Sequence, residues 1–384
     1  MTAAAGARLF LEQHVVHADP LRFQGAEGAI RDAGLLGGIC HGAVPIGQGQ
    51  AGTAADDACV AYVRTPLLRS ATRIPEPCLY RLFYSDRSVR GGRYANIRYR
   101  TDGVFVFGIL ELAQPGGAAG WMQGAACAAY AGIFEFLRNL DPDHRLRLWR
   151  IWNYLSDING MDGELERYRQ FNMGRADAFA AHWSATDRDP EASASFVSEI
   201  PAACGIGTID APRCDRSGLT VAFLASAMDF AQIENPRQVS AFRYPAEYGP
   251  ASPTFSRAVL GPAQAGFGPR GAHLFISGTA SIVGHRTLHG ADVAEQCRES
   301  LRNIDVIVQE ANRKLAAWKQ STMTMPDLDY LVYIRHPGDL AAVHGVLAQW
   351  LGHRASVHYV HAEICRSDLL VEIEATRLSE VARG

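Results

Sequence analysis

The sequence predicts an α+β protein of two tandem β-α-β-α-β modules, with mixed sheets packed by helices. Three observations carry this reading. From residue 103 onward, segments rich in β-branched and aromatic residues alternate with segments of helical period. The same order runs through twice, which marks a duplicated unit. The 384 residues, 48% hydrophobic and 20% charged, suffice for two cores.

Residues 1–90 are rich in Gly, Ala and Pro and offer only short strand-like pieces such as Cys59-Val-Ala-Tyr-Val63. They form a poorly assigned N-terminal segment of the first domain. Residues 91–234 make up the N-terminal α+β domain proper. Within it Gly103 to Leu112 reads as a strand and Trp121 to Leu140 as a helix with Ala, Phe and Leu on one face. Leu146 to Tyr154 is a strand, Leu165 to Trp183 a helix, and Gly218 to Leu224 a strand. Asn235-Pro236 is the expected junction, and residues 235–384 form the C-terminal domain. There Leu274 to Val283 reads as a strand and Asp292 to Trp318 as a long helix. Asp329 to Ile334 is a strand, followed by a turn at His336-Pro-Gly338 and a helix from Leu340 to Leu351. Strands from Val357 to Ile364 and Leu369 to Ala375 close the unit.

Composition excludes several function classes. The net charge of −3 carries no footprint for nucleic acid or an anionic membrane. No stretch approaches the ~18 apolar residues of a membrane span. The N-terminus lacks a charged region followed by a long apolar one, so no signal peptide is expected. Eight cysteines are scattered without a C-x-x-C pair. That pattern points to free thiols in a reducing cytoplasm, not to a disulfide frame or a zinc ribbon.

Three motifs fail on context. Gly47-Gln-Gly-Gln-Ala-Gly52 is a G-x-G-x-x-G without a strand-turn-helix around it, so it is not read as a dinucleotide site. His285 and His289 stand four apart, but Thr287-Leu288 between them suggests strand or turn, and no third ligand is near. His358 and His361 are placed on opposite faces of a strand. No metal and no cofactor are expected.

Two segments carry more. In Ala272-His-Leu-Phe-Ile-Ser-Gly-Thr-Ala-Ser281 an apolar run meets a patch of small residues, which lets a ligand or another backbone approach closely. In Leu369-Leu-Val-Glu-Ile373 a carboxylate, Glu372, sits within an apolar strand. It is either an outward, solvated residue or a buried acid with a chemical role. Glu374 lies on the same strand face and competes with it, and Glu363 is a weaker candidate.

Several motifs in a fixed order resemble those of the chorismatases, enzymes that release pyruvate from chorismate. They include Gly92-Arg-Tyr-Ala-Asn-Ile-Arg-Tyr99, Arg150-Ile-Trp-Asn-Tyr154, Glu164-Leu-Glu-Arg-Tyr-Arg-Gln-Phe-Asn-Met-Gly-Arg175 and Asn235-Pro-Arg-Gln-Val-Ser-Ala-Phe-Arg-Tyr-Pro245. Tyr248-Gly-Pro-Ala-Ser-Pro-Thr-Phe-Ser-Arg257, the small-residue patch and Cys365-Arg-Ser-Asp-Leu-Leu-Val-Glu372 complete the set. The resemblance runs from about Arg93 to the C-terminus. The second unit also resembles the RidA/YjgF module (a chorismate-mutase-like fold), whose homotrimers place active sites between neighbouring sheets. Two such modules in one chain imply an internal, pseudo-trimer-like version of that interface in a monomer.

The resemblance implies roles. Tyr168, Arg175, Tyr244 and Arg257 match substrate-binding positions, and a dianion such as chorismate needs fixed guanidinium groups. Tyr168 and Arg175, seven apart on a predicted helix, share a face. Glu372 matches the catalytic glutamate, which delivers a proton if burial raises its pKa. Gly278 and Cys365 match the members that form 3-hydroxybenzoate, where hydrolytic members tend to carry alanine at both. The expected reaction is chorismate to 3-hydroxybenzoate and pyruvate by intramolecular elimination. Alternatives are hydrolysis to 3,4-dihydroxycyclohexa-1,5-diene-1-carboxylate, mixed 3- and 4-hydroxybenzoate formation, a RidA-like imine deaminase, or a non-catalytic RidA-like metabolite binder.

Overall fold

The computed structural model of the chain describes residues 7–16, 34–42, 59–69, 77–115, 119–185, 200–209, 218–262 and 272–378. The glycine-rich segment at 47–52 lies outside them. The N-terminal part contributes β1 (Leu9–Val16), β2 (Leu35–Gly42), β3 (Val60–Arg64) and β4 (Cys78–Ser85). The middle of the chain contributes β5 (Arg90–Tyr94), β6 (Ile97–Thr101), β7 (Phe105–Ala113), α1 (Trp121–Leu140) and β8 (Arg147–Ser156). A short hairpin, β9 (Met161–Asp162) and β10 (Leu165–Glu166), leads to α2 (Arg167–Ala185), β11 (Ala202–Thr208) and β12 (Gly218–Ser226). The last part contributes β13 (Ala231–Ile233), β14 (Ala258–Gly261), β15 (His273–Ala280) and a second hairpin, β16 (Ile282–Val283) with β17 (Arg286–Thr287). It ends with α3 (Val293–Ala317), β18 (Asp329–Ile334), α4 (Leu340–Leu351), β19 (Ser356–His361), β20 (Glu363–Ile364) and β21 (Val371–Arg377).

The α+β class and the duplication are both present. The middle sheet contains the order β11-β8-β12-β7, and the last sheet contains β19-β18-β21-β15. In each, one pair is parallel, β8 with β11 and β18 with β19, and the rest are antiparallel. A third copy of this order is an addition to the expected pair. The first sheet reads β3-β2-β4-β1, again with one parallel pair, β2 with β3. Residues that looked featureless thus build a full sheet. The strand β13 already pairs with β14, so the last sheet begins just ahead of Asn235-Pro236.

Side-chain spacing explains the helices. On α1, Met122, Ala126, Tyr130, Ile133 and Leu137 recur at intervals of three or four and are buried. On α3, Cys297, Leu301, Ile304, Val308, Ala311 and Leu315 form the same kind of stripe. Asp292 caps α3, its carboxylate accepting from Glu295 N at 3.0 Å. The three sheets meet at one apolar centre that draws Leu36 and Phe83 from the first, Phe107 and Trp152 from the second, and Phe275 and Tyr333 from the third.

Two local departures shape the site. The strand expected over Val357 to Ile364 is split. β19 stays on β18, while β20 crosses to the middle sheet and pairs with β11 (Ile206 opposite Ile364). The second departure is β11 itself, whose Ala202-Ala-Cys-Gly-Ile-Gly-Thr208 has little strand character. Its glycines serve close packing: a Cβ on Gly205 would lie 3.0 Å from the Tyr168 ring.

Candidate active site

The site lies on the seam where the middle and last sheets meet. Ala202 bridges to Ser256, and Ala203 N donates to Ser277 Oγ at 2.9 Å. On β15 the register against β21 shifts between Ile276 and Thr279, so Ser277 and Gly278 form a bulge. Gly278 faces Glu372 across the gap. A Cβ on residue 278 would overlap Glu372 Oε1 and lie 3.3 Å from Cys204 Cβ.

Glu372 is only 3% exposed. Burial, and then the nearby charge of Glu374, push its pKa up to about 8, against the opposing pull of Arg150 and Cys365. The side chain therefore carries a proton at neutral pH. Cys365 donates to Glu372 Oε2 through a long Sγ contact of 3.8 Å. Burial, then the charge of Glu372, raise the pKa of that thiol, so it stays neutral. It shapes and holds the carboxyl; a nucleophilic thiolate is disfavoured here.

Tyr168 and Arg175 do share a face of α2. Phe171 lies between them, 6.2 Å from Tyr168 ring to ring and with the Arg175 guanidinium 4.9 Å above it. Arg175 is buried and donates to Asn172 Oδ1 at 2.8 Å, while its Nε–H has no acceptor. The phenol pKa of Tyr168 is raised by burial and then by the charges of Cys365 and Glu372, which places this helix face against the acid.

Tyr244 and Arg257 come together from the loop between β13 and β14. Arg257 Nη2 donates to the Tyr244 hydroxyl at 2.9 Å and to Val239 O at 2.8 Å. Its backbone carbonyl accepts from Ser277 N at 2.9 Å, which ties it to the bulge beside Gly278. Arg257 Nε–H also lacks an acceptor. Arg366, next to Cys365, lies 4.0 Å above the Tyr248 ring and 5.3 Å from that of Tyr244.

The competing acids are otherwise engaged. Glu363 pairs with Arg335. Glu374 accepts from Arg150, from Trp152 Nε1 at 3.0 Å and from the Tyr333 hydroxyl. Sequence reasoning singled out Arg150-Ile-Trp-Asn-Tyr154 without assigning it a role. Three of its residues support the seam: Arg150, Trp152, and Asn153, which accepts from Tyr130 at 2.9 Å and donates to Cys204 O at 2.8 Å. The available signal was Arg150 and Asn153, polar residues inside an otherwise apolar strand, with Arg150 and Trp152 on one face. His285 contacts Tyr248 and Glu247 at 3.2 and 3.1 Å. Among the described residues no cluster could hold a metal ion, and no helix is long and apolar enough to cross a membrane.

A buried carboxyl with a raised pKa, on a seam that also carries buried arginines and tyrosines, is a candidate general acid. The family described as "Chorismatase FkbO/Hyg5-like, N-terminal" matches residues 81–225. A chorismatase of Streptomyces rapamycinicus is 36% identical over 296 residues, covering 76% of this chain and 80% of that protein. A 3-hydroxybenzoate synthase of Streptomyces hygroscopicus is 33% identical over 296 residues, covering 76% and 79%. The crystal structure of a chorismatase superposes with a TM-score of 0.76 at 31% identity, over 97% of this chain and all of that one. The chain belongs to the chorismatase family.

Proposed function

We propose that the protein converts chorismate to 3-hydroxybenzoate and pyruvate, with Glu372 as the acid. The carrying observation is the buried carboxyl of Glu372, seated against Gly278 at the seam, where burial raises its pKa. Chorismate bears two carboxylates, a ring hydroxyl and an enolpyruvyl ether. Arg175 and Arg257, each assisted by a tyrosine on its own side of the seam, supply the countercharge. Glu372 protonates the methylene carbon of the enolpyruvyl group, which becomes the methyl of pyruvate. The bond from the ether oxygen to the ring then breaks, its electron pair leaving with pyruvate, as the neighbouring ring hydroxyl attacks the ring carbon that carried the ether. That hydroxyl's proton returns to Glu372. The resulting arene-oxide-like ring opens and loses a ring proton to become the phenol. Atoms balance without water.

The placement of the acid supports this internal route over hydrolysis, since Gly278 lets the Glu372 carboxyl fill the space beside residue 278. The test is the reaction in oxygen-labelled water with product analysis. The 3-hydroxyl should carry oxygen from chorismate, with pyruvate and 3-hydroxybenzoate in equal amounts. Label in that hydroxyl, or the dihydrodiol as main product, would overturn the internal route.

A further inference from the structure

Glu372 and Glu374 project from the same face of β21, two residues apart, and both are almost wholly buried, at 3% and 1% exposure. Two buried carboxylates so close cannot share their surroundings equally. Their partners differ in kind. Glu374 sits where all three sheets meet and gathers the donors of that region: the Arg150 guanidinium and the Trp152 indole from β8, and the Tyr333 hydroxyl from β18. Arg81 of β4 adds a second buried guanidinium, its Nη1 3.9 Å from Glu374 Oε2. The groups that face Glu372 are of another sort. They are the Cys365 thiol, Cys204 on β11, Tyr168 on α2 and Glu374 itself, with the Arg150 guanidinium acting on it against them.

From this arrangement we propose that Glu374 is a positioning residue for the reaction: it is the counterion that engages Arg150 and Arg81, and so keeps the Arg150 guanidinium from drawing the proton off Glu372. The proposal rests on Glu372 being the acid and extends that reading to what keeps it one. Without Glu374, the Arg150 guanidinium of β8, which already acts on Glu372, would lose its carboxylate partner and turn to Glu372. Glu372 would then surrender its proton, and an acid would become a spectator anion. The strand spacing makes the division workable. At about 3.3 Å per residue, a separation of two places the carboxyls near enough to repel and far enough apart to hold different partners.

The experiment reads the proton directly. Infrared difference spectra between pH 6 and pH 9.5 show the carbonyl stretch of a buried protonated carboxyl. The parent protein should show such a band that titrates away near pH 8, and Glu372→Gln should lack it. In Glu374→Gln the band should titrate at least tenfold more readily, a shift down of one pH unit or more, with the alkaline limb of kcat moving alongside it. Glu374→Asp keeps the charge and should titrate like the parent. An unmoved band in folded Glu374→Gln, or equal behaviour of the Asp and Gln variants, would overturn the proposal. If Glu374→Gln does not fold, the first pair still decides. A band that persists in Glu372→Gln places the proton on Glu374 and overturns it; a band that vanishes there supports it. A band that moves while the kcat limb stays put would sink Glu372 as the acid and leave its electrostatic dependence on Glu374 intact.

Discussion

Gly278 is the residue that makes room for Glu372: any side chain at 278 would begin inside the space its carboxyl oxygen occupies. The acid and the bulge on β15 are thus one steric unit, and the position of the proton donor depends on the absence of a methyl group across the strand gap.

The first prediction follows from that contact. Gly278→Ala must displace the Glu372 carboxyl, and Cys365→Ala removes the thiol that steadies its other oxygen. The double variant should remain active yet yield detectable dihydrocyclohexadiene diol alongside 3-hydroxybenzoate. A difference of ~1.4 kcal/mol between competing transition states changes a product ratio tenfold, and one misplaced methyl in a packed site can supply that much. Chromatography of the quenched reaction decides it. A folded, active double variant that forms only 3-hydroxybenzoate would show that these residues do not control the branch.

Glu372→Gln keeps the size of the side chain and removes the transferable proton. Turnover should fall ~10²-fold or more, while chorismate still binds, as read by calorimetric titration. Parent-like turnover in this variant would refute the assignment of the acid.

The pH dependence has a definite sign. Glu372 is raised to about 8 when folded, against ~4.3 for an ordinary glutamate. kcat should hold level up to about pH 8 and then drop, approaching tenfold per unit. Stability behaves differently. The folded state retains a proton that the unfolded chain has released, so this group's contribution is full below about pH 4 and is lost as pH rises to about 8. Denaturant titrations at pH 5 and pH 8 should therefore show a larger loss for the parent than for Glu372→Gln. Equal losses in the two proteins would contradict the raised pKa.

Arg257→Lys should weaken substrate binding more than it slows chemistry, because a single ammonium cannot hold Tyr244 and Val239 and also grip a carboxylate as the planar guanidinium does. A rise in KM of about tenfold with a smaller change in kcat is expected from the loss of one charge-assisted bond. A variant with unchanged KM would remove Arg257 from the binding set.

Much of this was legible in the sequence, for identifiable reasons. The helices announced themselves because their buried residues recur every three or four positions, as on α3. Glu372 was visible as a charge inside an apolar strand, and Tyr168 with Arg175 as a pair two helical turns apart. The sheet of residues 9–85 was not legible, because β2 spends three of its eight positions on glycine, which carries no strand signal. The exchange of β20 between sheets was equally hidden, since a continuous run of strand formers says nothing about which neighbour each half will choose. Nor could one strand reveal that Glu372 and Glu374 would divide a proton and a charge between them. That depends on Arg150 and Arg81, which arrive from elsewhere in the chain.

The threefold repetition of sheet order carries a further consequence. In a ring assembled from three identical chains, every substitution is copied to all junctions at once, and a change that improves one must be tolerated by the others. Here the three junctions are encoded by different stretches of a single gene. One of them could gather an acid and a glycine hollow, while the others drifted toward packing alone.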